Sequence, residues 1–472
     1  MAAQTAGGQQ RHRWVLASAC LAAVAGALVL VAVIPPYAFA DETAHVDYAY
    51  QVWHGRLPEF YDGIRLPAVD GAVPPVQWVA QHPPLSYLLL APLVGPLVDA
   101  GEPVAAAYAA RAVTVLAAAA TVLASGWAAR WVTGAWGRVA LTVPVLVASH
   151  VWVLRLGGAV YPDIFLALVV TLLLGLAARW ARAGRGGAGS QVAWVLLPAA
   201  ASAIRLSGVP LALLCVGAVA LVLLLRRSRS PHDWLVGVLL PVVAMAAASG
   251  WFYARNLALT GSVAGGHPEW AVANLERETS TLREVLLSGG FWQLSFRQFA
   301  VSADWADGLN LVLFVLPAVV GVSAAGWALL RRRGPEALPD RVVALLLTGA
   351  VAGVSLQQAL YVTVSGGAMG RYFAVLVLPF ALAVASGIAR WRWSTVLLVP
   401  WCLLHLADAG RDLGQTAHRF ADAGLPTVPV GVAHAASAAH AVLLLVASVL
   451  VVTTVRHVQG GRHAAVGAAL PR

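Results

Sequence analysis

An acidic pair, Asp41-Glu42, follows closely on an apolar run that ends at Ile34, within the stretch Ala40-Asp41-Glu42-Thr43-Ala44-His45-Val46-Asp47-Tyr48. Carboxylates beside hydrocarbon are costly and are usually paired or functional there. If the stretch is helical, Asp41 and His45 share a face by their i, i+4 spacing. A carboxylate so placed can take a proton from a hydroxyl. The bland alternative, solvated charges marking a helix end, would prevail for an isolated pair. Further on stands Gln81-His82-Pro83-Pro84. Two prolines fix backbone dihedrals and open a helix well. They would set His82 at a definite place, where a cationic or hydrogen-bonding group suits a phosphate. An incidental histidine in a helix-start turn is an equal alternative.

More polar residues fall at the ends of apolar runs. Arg111 lies a turn or two inside one, where an arginine is costly unless it snorkels or meets an anion. Asp163, in Tyr161-Pro162-Asp163, precedes another run, and a helix cap accounts for it equally well. Arg205, Arg255-Asn256 and Gly370-Arg371-Tyr372 stand at three further ends. Each alone reads as a solvated terminus. As a set they describe a polar cavity open to one side of a membrane.

The elements that must position these residues are membrane spans. Of 472 residues, 60% are hydrophobic and 11% charged, against about a quarter charged in soluble domains. That balance excludes an ordinary globular protein and a disordered chain. The basic residues are all arginine, and they sit at the ends of apolar runs: Arg130 and Arg138, Arg179 to Arg185, Arg226 to Arg229, Arg331 to Arg333, Arg390 and Arg392, Arg456 and Arg462. By the positive-inside rule these ends face the cytoplasm, so topology explains the net charge of +10 without nucleic acid. With returning spans near 139–160, 192–205, 234–254, 341–363 and 393–408, the reading gives about 12 crossings and both termini cytoplasmic. The first run, Trp14 to Ile34, is long for a signal peptide and reads as a retained helix, although AFADE offers a cleavage-like site.

Residues 84–99 carry Pro92 and Pro96 and read as an interfacial or re-entrant helix. The short segment 192–205 reads as a broken helix. Two outer loops result: 35–103, with the catalytic motif, and 255–308, a possible acceptor-binding region. The whole chain, 1–472, forms one integral membrane domain. Cys20, Cys215 and Cys402 are scattered in apolar runs and give no disulfide framework. Neither a metal-ligand spacing nor a nucleotide-binding loop is present.

The order of these motifs resembles the GT-C superfamily. It comprises a DE pair after the first span, HPP-L-x-Y-L-L-L-A-P-L, A-A-R at the next span, an aspartate before the following hairpin helix, W-x-x-R-N, and G-R-Y-F. The resemblance runs from Asp41 to about Gly387, with the dolichyl-phosphate-mannose protein mannosyltransferase type, glycosyltransferase family 39, and related bacterial enzymes as the nearest branch. It implies an all-α polytopic fold, with interfacial helices in a long first outer loop. It also implies transfer of a sugar from a polyprenyl-phosphate carrier to an acceptor on the outer side of the cell membrane. Asp41 matches the catalytic acid position and Glu42 completes the pair. His82 stands where a lysine is often found, and Gln81 where a glutamate can stand. Arg111 and Arg371 match basic positions in related enzymes, expected here to neutralise the phosphate, and Asp163 matches an acidic one. His45, Arg205 and Tyr372 complete the expected substrate-binding set.

The expected partners are thus a polyprenyl-phosphate-linked sugar donor, membrane lipid and an acceptor of unspecified class (protein, lipid or glycan). No cofactor is expected; a divalent metal, which some GT-C enzymes use, has no support in the sequence. The main alternative is a transporter or flippase for a lipid-linked or small hydrophilic solute. Such proteins often show internal repeats and midplane charges, and neither is visible. A scaffold for envelope synthesis is a third reading, in which single changes at Asp41 or Arg371 would be silent.

Overall fold

In hydrocarbon, a chain without barrel-type strands must satisfy its backbone by folding into helices, and the apolar runs do so. The computed structural model describes residues 2–67, 69–296, 307–367, 369–391, 394–407, 414, 420 and 428–468, and no strand occurs among them. Helices α1 (Ala2–Val33), α2 (Ala40–Trp53), α3 (Leu85–Asp99) and α4 (Pro103–Thr133) open the chain. The pair α5 (Arg138–Ala148) and α6 (Val151–Gly157) follows, then α7 (Pro162–Ala183), α8 (Ala188–Ile204) and α9 (Gly208–Leu225). Next come α10 (Pro231–Thr260, with π-helical turns) and the shorter α11 (Pro268–Leu275), α12 (Leu282–Leu287) and α13 (Gly289–Phe296). The last are α14 (Gly308–Arg331), α15 (Pro335–Thr363), α16 (Gly370–Ile388, opening as a 3₁₀ turn), α17 (Thr395–Ala407) and α18 (Val430–Ala468).

Nine of these helices are long and apolar enough to cross a membrane, among the described residues. The bent pair α5–α6 is a tenth, and α8 and α17 are shorter apolar helices. Together they occupy the apolar segments read from the sequence as crossings, so the protein is a multi-pass membrane protein. Three segments differ in detail. The run 139–160 is bent by 52° at Ser149-His150, where the His150 ring accepts from Val153 N and caps α6. Segment 192–205 is a continuous helix despite Pro198, and the chain turns extended only at Arg205. The charged stretch after Asn274 leaves the helix at residues 276–281, and α12 starts only at Leu282, with a capping box between Thr281 and Glu284.

Helix α3 spans about 22 Å at 1.5 Å per residue, short of the roughly 30 Å of hydrocarbon. It packs against α2 as an interfacial hairpin, with the Trp53 ring pressed on Gly95, where an added Cβ would lie 2.0 Å from it. Helix α7 runs through the centre, with 83% of its apolar window buried, whereas α14 has 22% buried and lies at the periphery of the bundle. At Gly175 of α7 a Cβ would meet the Trp127 ring of α4 at 2.4 Å, so only glycine permits that approach.

The two ends of the bundle differ in chemistry. At one, Arg182 donates to Trp131 O (2.6 Å), Val132 O (2.5 Å) and Asp340 (2.7 Å), and Arg332 pairs with the same aspartate at 2.5 Å. Arg185 pairs with Asp233. This arginine-rich end lies at the C-terminus of α7. Asp163 lies at its N-terminus, about 30 Å away by helix rise.

Candidate functional site

Helix α2 begins the site. Its first turn carries Asp41 and Glu42, where the helix dipole favours anions. The two carboxylates have different surroundings. Glu42 is fully buried and accepts from Arg111 Nε (2.8 Å), Arg111 Nη2 (2.6 Å), Tyr37 N (3.1 Å) and Val160 N (3.1 Å). Arg111, also fully buried, donates further to Ile34 O (2.6 Å), Pro35 O (3.0 Å) and Val31 O (3.5 Å). All five guanidinium N–H groups are therefore engaged. The expected phosphate contact of Arg111 does not fit this geometry, because no donor is left for it. The Glu42–Arg111 pair instead ties the turn between α1 and α2 to α4. Tyr37 in that turn has φ +63°, held by its own N–H on Glu42 and by its hydroxyl on Pro103 O (2.6 Å).

Asp41 is partly open, with its side chain 26% exposed, and it pairs with Arg371 Nη1 at 2.6 Å. Arg371 Nη2 donates to the Tyr372 hydroxyl at 3.2 Å. Its guanidinium lies over the rings of Tyr161 (4.9 Å) and Tyr372 (5.1 Å). A second pair joins Asp163 to Arg205, whose guanidinium also lies over the Tyr372 ring at 5.1 Å. Asp163 does not cap its helix: the cap position is Tyr161, with no side-chain bond. Two buried polar atoms here, Arg371 Nε and Asp163 Oδ2, have no hydrogen-bond partner among the described residues.

The floor is aromatic. His45 Nδ1 bonds the Tyr87 hydroxyl at 2.9 Å, and the His45 ring lies 6.2 Å from His82 and 5.3 Å from Tyr161. Tyr87 stacks on Tyr48 at 3.8 Å, and the Tyr48 hydroxyl donates to His82 O at 2.9 Å. Burial pushes His45 down to about 3, with Asp41 opposing the shift. Burial, then Arg205, also holds His82 well below its ordinary range. Both rings are neutral at pH 7, so His82 is a hydrogen-bonding group rather than a cation. For Asp41, burial raises the carboxyl, but Arg371 beside it outweighs this and keeps it below the usual range.

Other residues hold the first loop in place. Asp47, fully buried, accepts from Arg65 N, Leu66 N and Gln51 Nε2 (each 2.7 Å) and from Gln77 Nε2 (2.5 Å). Arg255 donates to Pro58 O at 3.0 Å and Asn256 to Gln81 O at 3.1 Å, so both fasten this loop to α10. Beside the cluster runs a shallow apolar groove of about 370 Å³ between α3, α8 and α10, lined by Pro84, Leu88, Leu196, Ala203 and Trp251 among others. His82 and Arg205 flank it in sequence.

The structure thus brings Asp41, His45, His82, Asp163, Arg205, Arg371 and Tyr372 together at one end of the bundle, with Glu42 and Arg111 sealed alongside. Tyr48 and Tyr87 were not among the site residues expected from the sequence. Their signal, the Tyr in HPPLSY above all, was legible only as apolar periodicity. Among the described residues no three His, Cys, Asp or Glu side chains gather as a metal site would require.

This is the architecture of a polytopic membrane protein with a cluster of charged and aromatic side chains at one end. No protein-family model and no curated protein matches the sequence. Among solved structures, ArnT from Cupriavidus metallidurans, bound to undecaprenyl phosphate, superposes with a TM-score of 0.51 at 16% identity over 96% of this chain and 78% of that one. An oligosaccharyltransferase from Archaeoglobus fulgidus, AglB, in complex with an inhibitory peptide and a dolichol-phosphate, gives 0.40 at 14% identity over 91% of this chain and 56% of that one. The ArnT likeness covers nearly the whole chain and shows a shared fold.

Proposed function

We propose that the protein is a glycosyltransferase that moves a sugar from a polyprenyl-phosphate carrier to an acceptor hydroxyl. The observation that carries this reading is the meeting of one partly open carboxylate, Asp41, with two arginines, Arg205 and Arg371, beside an apolar groove. An isoprenoid tail suits the groove and an anion suits the arginines. The neighbour ArnT is described as bound to undecaprenyl phosphate. The arginine-rich end faces the cytoplasm by the positive-inside rule, so the site works on the outer side.

In the reaction the acceptor oxygen attacks the anomeric carbon while its proton passes to Asp41. The bond from that carbon to the phosphate oxygen breaks, and the electron pair leaves with polyprenyl phosphate. The sugar is inverted in one displacement. Arg371 and Arg205 meet the charge that develops on the phosphate, each such contact contributing ~1.5–3 kcal/mol. Neutral His82 offers the phosphate a hydrogen bond. Glu42 keeps the helix carrying Asp41 in register and does not touch substrate. A translocation path would spread polar residues through the bundle, whereas these gather at one end.

The test uses the full-length protein in lipid nanodiscs with radiolabelled polyprenyl-phosphate sugars and membrane extract as acceptor. Asp41→Asn should lower transfer by about 10²–10⁴-fold while the protein remains folded. Turnover at the unmutated rate removes Asp41 from the base role. Net movement of solute without sugar transfer replaces the enzyme with a transporter.

A further inference from the structure

We propose that the donor's phosphate and Asp41 compete for the Arg371 guanidinium, so that donor binding releases the carboxylate that then acts as base. This rests on the reading of the site as a polyprenyl-phosphate-dependent transferase and adds to it an order of binding.

Each arginine of the site already holds a carboxylate: Arg371 holds Asp41 and Arg205 holds Asp163. A donor phosphodiester therefore enters a balanced site and must take a cation from one of the two acids. Exposure decides which. The Asp163 side chain is 4% exposed and that of Asp41 26%. Arg371 itself is held against two rings, Tyr161 at 4.9 Å and Tyr372 at 5.1 Å. The mobile partner is thus the carboxylate of Asp41, in the first turn of α2. Arg371 also has a point of entry for the phosphate. Its Nε is buried and has no acceptor among the described residues, so one phosphate oxygen can bind there before Asp41 lets go of Nη1. Asp163 Oδ2, likewise without a donor, is open to a hydroxyl of the sugar.

Release changes Asp41 in the direction catalysis needs. The groups facing it are Arg371, Arg205, His45, Tyr161 and Tyr87, with Glu42 next in the chain. Arg205 stays with Asp163, Glu42 is compensated by Arg111, and His45 and the tyrosines are neutral. Once an anion occupies Arg371, Asp41 has no cation of its own and faces the phosphate, so its affinity for a proton rises. A base works best with a pKa closer to the working pH. After transfer, the phosphate gains a second negative charge and grips Arg371 more tightly, which holds Asp41 off until the polyprenyl phosphate leaves.

Two measurements on the full-length protein in nanodiscs test this. In the first, the acid limb of kcat/KM for the donor reports the free enzyme, and that of kcat the complex. The kcat limb should lie about one to three pH units higher. In the second, polyprenyl phosphate alone is titrated onto Asp41→Asn. Removal of the competing charge should tighten its binding by about tenfold or more, since a charge-assisted contact is worth ~1.5–3 kcal/mol. Coincident limbs in an enzyme that transfers sugar, or unchanged or weaker binding by Asp41→Asn, overturn the competition and leave the transferase reading intact. A wild-type protein that neither binds polyprenyl phosphate nor transfers sugar from it defeats the transferase reading instead.

Discussion

Glu42 and Arg111 are each hydrogen-bonded to capacity and fully buried. Removing one partner of such a pair leaves the other charge buried, at a cost of roughly 3–5 kcal/mol. Arg111→Ala should therefore show a large fall in thermal stability in detergent, whereas Asp41→Asn should change stability little. Equal melting temperatures for Arg111→Ala and wild type would contradict the sealed geometry. Acid should also weaken the fold. The folded-state pKa of His45 is depressed to about 3 from 6.5, so between these values the unfolded chain binds more protons and stability rises with pH. Asp41, held low by Arg371 once its burial is overcome, acts in the same direction at the acid end of that window. Melting temperature should drop as pH falls below about 6.5, and His45→Gln should flatten that dependence. The types and places of these residues were legible in the sequence, but their partners were not. Arg111 finds Glu42 across 69 positions and three backbone carbonyls besides, a commitment that no spacing rule encodes.

Helix α2 has two jobs on two faces. One face presents Asp41 to Arg371 and His45 to Tyr87. The other gathers the first loop through Asp47, through Thr43 Oγ1 donating to Ala72 O (2.7 Å), and through Ala44 O accepting from Gln77 (3.1 Å). Asp47→Asn replaces an all-acceptor group by one that sets a donor against donors, which costs about 1–3 kcal/mol. The loop that delivers His82 should loosen. The expected outcome is a raised KM for the donor with kcat less affected, together with faster amide exchange over 60–80. An unchanged KM and unchanged exchange would deny Asp47 this role. The i, i+4 spacing identified the first face. The second was hidden because its partners are loop backbone amides, which carry no sequence signature. The 52° bend at Ser149-His150 was hidden for a related reason: hydropathy measures length in hydrocarbon, and not direction.

Across the whole molecule, charge is sorted by end. Arg182, Asp340, Arg332, Arg185 and Asp233 interlock far from Asp41 and Arg371. Single cysteines introduced at Glu59, in the first loop, and at Arg333, at the arginine-rich end, should label from opposite sides of intact cells, Glu59→Cys from outside. Labelling of both from one side would invert the proposed topology. The number of apolar segments was readable because each must span hydrocarbon, and this physical demand leaves a long, uninterrupted trace. Which of them would lie at the centre was not, since α7 and α14 are similarly apolar, yet 83% of one window and 22% of the other is buried.

Helix α18 packs along α1, with His440 Nδ1 bonded to Ala22 O at 2.6 Å and its ring seated against Gly26. During synthesis α1 thus waits for α18, whose His440 lies 418 residues beyond Ala22, before its flank is covered. Until residue 440 has entered the bilayer, Ala22 and Gly26 present a notch to lipid. Assembly therefore includes a late closing step, in which α18 docks on α1 and covers its exposed flank.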